Sequence, residues 1–172
     1  MDFEVRRAAV GDAEPIARVQ VESWRTTYAG IVPQEYLRAL DVDIRAQSWT
    51  EQLEAGKMTA FVAETAACIF GFVCGGALRG ATDEQDAELY AIYLLREHQR
   101  HGAGRRLALS LASALRAEGF KSMAVWVLEQ NYPAINFYRQ LGAVQLASKP
   151  IEIGGAQLTE LAFGWPILES LT

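Results

Sequence analysis

Residues 99–106 read QRHGAGRR, and the reading of this stretch decides the fold. Gly102 and Gly104 flank a single alanine, with Arg100, His101, Arg105 and Arg106 crowded around them. A helical pattern starts at once. Leu107, Leu111 and Leu115 recur every four residues, with Ala108 and Ala112 beside them on the same stripe. Just upstream, AELYAIYLL (87–95) is rich in aromatic and β-branched residues and predicts a strand. The unit is therefore strand, glycine loop, helix. Cations at a helix N-terminus oppose the helix dipole, by about 0.3–1 kcal/mol each. That cost is offset when the loop holds an anion, because glycines let a ligand approach bare backbone and the first helical amides point at it. A capped helix start with solubilising arginines is the competing reading of the same residues.

The candidate anions narrow by elimination. A Walker loop needs four residues between its glycines and then Gly-Lys-Ser/Thr, which this stretch lacks. A dinucleotide fingerprint needs a third glycine three positions after the second, where this chain has Leu107.

Working outward, DFEVRRA alternates as a first strand, and Asp12 starts a helix to about Thr27 with Pro15 in its first turn. Gly30 and Pro33 interrupt, a short helix follows, and Asp41 or Asp43 begins another that ends near Gly56. TAFVAE (59–64) and CIFGFVCGGAL (68–78) predict two strands joined by a tight turn. Gly119 sits where the helix after the glycine loop should close. SMAVWVL (122–128) is a near-continuous apolar run, as in a strand buried on both faces. Asn131 is placed to cap a helix with Pro133 in its first turn, and Gly142 closes it. The remainder predicts a hairpin turning at Gly154–Gly155. The order predicts one mixed α/β sheet with helices on both faces, in a single domain over residues 1–172.

Bulk properties set the outer limits. The chain has 172 residues, 51% hydrophobic and 22% charged, with net charge −5, so disorder and generic nucleic-acid binding are not indicated. The N-terminus carries acids and bases where a signal peptide needs an apolar stretch, and the run 67–78 is too short and too glycine-rich to span a bilayer. A cytoplasmic protein without membrane association is expected. Cys68 and Cys74, six apart, are expected as small core residues on one strand face. His98 and His101, with only Glu97 nearby, make no case for a metal and are expected as solvated loop residues.

QRHGAG resembles the Gln/Arg-x-x-Gly-x-Gly/Ala motif of the GNAT superfamily of acyl-CoA-dependent N-acyltransferases. Its context strengthens the resemblance: the preceding strand, the leucine-striped helix, the apolar strand, and NYPAINFYRQLGA, which is similar to the family's Asn-x-x-Ala-x-x-Phe-Tyr-x-x-x-Gly segment from Asn131 to Gly142. The likeness covers residues 59–165, with departures at Arg96, near where many members carry proline, and at Ala143, where phenylalanine is usual. The resemblance implies a central twisted, mostly antiparallel sheet with a splayed parallel strand pair. It also implies acetyl-CoA as co-substrate and no metal.

Further implications concern single residues. The coenzyme pyrophosphate would sit on the loop of Gln99, Arg100, His101, Gly102, Ala103, Gly104 and Arg105. The pantetheine would pair with main chain near Tyr93 and Leu94, and Asn131 would cap its helix, contact pantetheine, or both. Tyr138, the tyrosine of the Phe-Tyr segment, would be the general acid beside the coenzyme sulfur, or else an aromatic filler beside Ile135. Glu88, eleven positions before Gln99, would be the general base, or else a solvent-facing carboxylate at a strand end.

On the acceptor side, Trp24 and Tyr28 share a helical face in SWRTTYAGIVP, with Trp24 leaning to the core and Tyr28 to a cleft wall; Tyr90 and Trp126 are further wall candidates. The expected activity is acetyl transfer to a primary amine of a small molecule or peptide, by direct attack in a ternary complex. A non-catalytic acyl-CoA-binding domain is the alternative. A homodimer through the C-terminal hairpin is compatible with the pattern.

Overall fold

The apolar run Met123–Leu128 forms strand β5 near the middle of a seven-stranded sheet. The structure, a computed structural model, describes residues 2–79 and 85–171. Around β5 stand β1 (Glu4–Arg7), β2 (Thr59–Glu64), β3 (Ile69–Ala77), β4 (Ala87–Leu94), β6 (Val144–Ile153) and β7 (Ala156–Trp165), in the order β1-β2-β3-β4-β5-β7-β6. Every neighbouring pair is antiparallel except β4 and β5, which run parallel. The helices are α1 (Ala13–Thr27), α2 (Gln34–Ala39), α3 (Val42–Ala55), α4 (Ala103–Ala117) and α5 (Tyr132–Gln140). The expected element order and mixed sheet are thus present.

Helices cover both faces. On one, Ile16, Ala17 and Val19 of α1 and Trp49 of α3 pack on Val62, Phe72 and Cys74. On the other, the α4 stripe Leu107, Leu111 and Leu115 and α5 residues Ile135 and Tyr138 pack on Phe70, Leu89, Met123 and Trp165. The three leucines are fully buried, each stabilising by about 1.5–3 kcal/mol. A third, smaller cluster joins α2 to the β6–β7 hairpin through Leu37, Tyr28, Leu128 and Ile153. The hairpin turns at Gly154 and Gly155, both with positive φ (58° and 83°). At Gly154 a side chain is doubly excluded, because a Cβ there would lie 2.8 Å from Tyr36 Cβ.

Two local features shape the middle of the sheet. The β3–β4 register shifts between Cys74 and Gly75, which pair with Ala91 and Leu89, so Tyr90 is an extra residue bulging from β4. Pairing between β4 and β5 is confined to Ala87–Leu89 against Met123–Val125. The two strands part from Tyr90 and Trp126 onward. Their paired base is clamped by Asp86, whose carboxylate accepts from the Lys121 and Ser122 amides (both 2.9 Å) and the Ser122 hydroxyl (2.8 Å).

Some side chains depart from the sequence reading. Cys74 is buried, but Cys68 is exposed and precedes β3, because the register shift between Ala63 and Glu64 starts the strand at Ile69. His98 is half-buried rather than solvated, its ring stacked on Phe70 with centroids 4.4 Å apart. Asp12 does not cap α1 with its side chain. Its carboxylate accepts from the Ala9 amide and from Arg6, whose guanidinium holds it below the usual carboxylate range.

Candidate active site

The glycine loop delivers the geometry its composition predicts. Arg100 and Gly102 both adopt left-handed backbone (φ 65° and 84°), Arg100 alone among the described non-glycine residues. The first bond closing α4 runs from the Arg106 amide to the Gly102 carbonyl (3.1 Å). The amides of Ala103, Gly104 and Arg105 therefore precede any intrahelical acceptor and face outward from the helix start. No acidic side chain lies in this first turn. Gln99, Arg100, His101, Gly102 and Arg105 are exposed, whereas Ala103 is buried and Gly104 lies against Phe137 and Leu94. Arg106 does not join the anion cradle. It lies over the Phe3 ring (4.6 Å) and donates to the Phe3 carbonyl (3.2 Å).

The loop stands at the open end of the β4–β5 gap. Beyond Leu89, β4 has no pairing with β5, so Tyr93 and Leu94 lie on a strand edge available to an extended ligand. The Gln99 side chain donates to the Leu94 carbonyl (3.1 Å), tying the loop to that edge. These features fit a coenzyme with an amide-rich arm and a pyrophosphate: bare amides for the phosphates and an unpaired edge for the arm.

The gap opens into a cleft of about 430 Å³ lined by Trp24, Tyr28, Arg79, Glu88, Tyr90 and Tyr93 from one side and by Trp126, Leu128, Lys149, Ile153 and Glu160 from the other. All the acceptor-side candidates and Glu88 meet here. Trp24 is half-buried and Tyr28 buried, the reverse of the expected split, yet both line the wall. Their rings meet edge-on at 4.7 Å. The Tyr28 and Tyr93 hydroxyls lie 3.1 Å apart. Trp24 Nε1 is buried beside the Tyr93 hydroxyl.

Glu88 is not a solvent-facing strand end. It is buried (5% exposed), with one oxygen accepting from the Arg79 amide and the other from the Arg79 guanidinium, both at 3.0 Å. Asn131 caps α5 by accepting from the Ala134 amide (3.3 Å). Tyr138 is buried, edge-on to Trp165 at 6.2 Å, and burial pushes its phenol well above the ordinary value.

Lys149, Glu160 and Arg79 escaped the sequence reading. Lys149 and Glu160 pair across β6 and β7, two strands beyond the motifs, and only the sheet register carries them to the cleft. A larger open groove of about 930 Å³ lies between α1, α2 and Ala156, but the β4–β5 gap does not open into it and no carboxylate lines it. Among the described residues no group of three His, Cys, Asp or Glu could hold a metal ion. No helix there is long and apolar enough to cross a membrane.

The sequence matches the acetyltransferase (GNAT) family over residues 19–143. It is 44% identical to the N-acetyltransferase YuaI of Bacillus subtilis strain 168 over 97% of this chain and 95% of that one. It is 29% identical to spermidine N(1)-acetyltransferase of Thermoplasma acidophilum, over 83% and 88%. In fold, it resembles the PaiA N-acetyltransferase of Thermoplasma acidophilum in complex with coenzyme A, with a TM-score of 0.71 and 22% identity over 94% and 98% of the two chains. It also resembles YncA of Salmonella typhimurium with its cofactor acetyl-CoA, with a TM-score of 0.73 and 22% identity over 96% and 94%.

Proposed function

Because the chain belongs to the GNAT acetyltransferase family and is an acetyl-CoA-dependent N-acetyltransferase, we propose that its two openings form one reaction path, with acetyl transfer by direct attack of a primary amine in a ternary complex. The observation that carries this reading is the meeting of gap and cleft. Tyr90 and Trp126, the first residues past the paired base of β4 and β5, are both cleft-wall residues. A thioester held in the gap would thus face an amine held in the cleft.

When bound, acetyl-CoA supplies an acyl carbon open to attack. The chain's residues do the rest. The amides of the α4 start and the loop residues Gln99 to Arg105 hold the pyrophosphate, while the Tyr93–Leu94 edge and Asn131 hold the pantetheine. An amine of the lysine type has a pKa of about 10.4 and must lose a proton before it attacks. Glu88 accepts that proton, directly or through a water. Tyr138 keeps its own proton through the neutral range and donates it toward the departing sulfur. The acceptor packs between Trp24, Tyr28, Tyr90 and Trp126. Cytoplasmic residence and a homodimer through the β6–β7 hairpin belong to the same reading, the latter checked by sedimentation.

The test is calorimetry with acetyl-CoA, followed by free-thiol release with an amine panel. Binding is expected for wild type and lost in Gly102→Glu, which sets bulk and negative charge against the pyrophosphate. ATP binding without acetyl-CoA binding would refute the reading, as would unchanged affinity in the variant.

A further inference from the structure

The cleft already holds two cations of its own, and they are arranged alike. The Arg79 guanidinium lies 3.6 Å over the Tyr90 ring and 3.0 Å from a Glu88 oxygen. The Lys149 ammonium lies 3.9 Å over the Trp126 ring and 3.7 Å from a Glu160 oxygen. In each pair the carboxylate is the inner partner. Side-chain exposure is 7% for Glu88 against 58% for Arg79, and 17% for Glu160 against 50% for Lys149. Among the described residues, the ionisable side chains lining the cleft other than tyrosine are these two acids and two bases, whose formal charges cancel. These four groups are polarised, with negative charge inside and positive charge at the rim.

We propose that the acceptor is a zwitterion: a compact primary amine that also carries a carboxylate, of the α-amino-acid type. The proposal rests on the acetyltransferase reading above. Such a ligand places its ammonium toward Glu88 and its carboxylate toward Arg79 and Lys149. It exchanges the chain's own ion pairs for equivalent ones and adds no net charge to them. The Lys149–Glu160 pair, 3.7 Å long with Lys149 half-exposed, is weak enough to exchange. A polyamine instead brings further positive charge against Arg79 and Lys149, and among the described lining residues both carboxylates are already paired. The cleft volume of about 430 Å³ suits a small molecule. In the transfer, the amine nitrogen bonds to the acetyl carbon, the carbon–sulfur bond breaks, the coenzyme leaves as its thiol, and the surplus amine proton passes to Glu88.

The experiment uses matched pairs differing only in the carboxylate: phenylalanine with phenethylamine, and leucine with isoamylamine, with spermidine alongside. Thiol release should give each amino acid a kcat/KM at least ~10-fold above its decarboxylated twin, with spermidine behind both. Lys149→Met should raise KM for the amino acids without raising it for the amines. Amines or spermidine equalling the amino acids would overturn the assignment, as would equal losses on both members of a pair in Lys149→Met. Calorimetry on the coenzyme-A-saturated protein gives a second readout. If coenzyme A binds but the amino acids do not bind, or bind without being N-acetylated, the zwitterion assignment falls and the acetyltransferase reading stands. If coenzyme A itself does not bind, both fall.

Discussion

The hydroxyls of Tyr28 and Tyr93 lie 3.1 Å apart and bind the end of α1 to β4 just past its bulge. Burial pushes both phenols above their ordinary value. Changing either residue to phenylalanine removes the hydrogen bond between them, at a cost of about 0.5–1.5 kcal/mol. The double variant should lose less than the sum of the single losses. Urea unfolding of the four proteins gives this coupling directly, and strictly additive losses would mean that the two hydroxyls are separately hydrated.

Tyr138→Phe keeps the ring against Trp165 and removes only the hydroxyl. Turnover should fall about 10²–10⁴-fold while coenzyme affinity holds. Because burial raises this phenol, wild-type turnover should show no alkaline loss from Tyr138 up to about pH 10, the ordinary tyrosine value. Activity within a few-fold of wild type would assign Tyr138 to packing.

Glu88→Gln is nearly isosteric and removes the proton acceptor of the proposed mechanism. The variant should be slow at pH 7 and recover toward the acceptor amine's own pKa, where free amine is abundant without a base. Parallel pH–rate profiles for wild type and variant would mean that Glu88 serves only to seat Arg79.

Asp86→Ala should act at a distance. The change releases the amides of Lys121 and Ser122, which hold the paired base of β4 and β5. Hydrogen bonds to a charged acceptor contribute about 1.5–3 kcal/mol, so stability should drop by about that amount. Coenzyme affinity should fall with it, because the gap is set by where pairing stops. Calorimetry showing unaltered affinity alongside the lost stability would separate the clamp from the gap.

Alkali should weaken the fold in steps. Burial pushes the Cys74 thiol up to about 12 and raises Tyr28, Tyr93 and Tyr138. Above pH ~9 the unfolded chain releases the thiol proton and the folded chain keeps it. Unfolding is then favoured by up to about 1.4 kcal/mol per pH unit for each such group. The stability each group contributes is complete below its unfolded value and disappears as pH climbs toward its folded value. The tyrosines join from about pH 10. Urea midpoints should fall from pH 8 to pH 11, and Cys74→Ala should flatten the first part of the decline. Midpoints constant across that range would contradict the burial of these groups.

The local structure of the proposed coenzyme half was legible in the sequence because its residues are contiguous. The glycine loop, the leucine stripe and the Asn131–Gly142 segment each follow local rules of turns, helical period and capping. The acceptor half was legible only in its aromatic members. Lys149 and Glu160 are ordinary surface residues in a hairpin until β6 pairs with β7 and β7 with β5. Arg106 and His98 were misread for a related reason. Each is an exposed polar residue in a loop by pattern, and a distant aromatic ring, Phe3 or Phe70, decides its place. Cys68 was misread because a register shift is invisible to counting by twos.

The bulge at Tyr90 has a consequence of parity. Along an unbroken strand, residues two apart share a face and residues three apart never do. Leu89 faces α4, whereas Tyr90 and the following Ala91 both face α1 and α3. After this repeated beat Ile92 and Leu94 return to α4, while Tyr93 falls beside Tyr90 on the cleft side. Take one residue out of the strand and every later side chain changes sides, sending Tyr93 into the greasy layer beneath α4 and aiming Ile92 at the acceptor. The chemistry of this face hangs on whether the chain between Glu88 and Tyr93 counts odd or even.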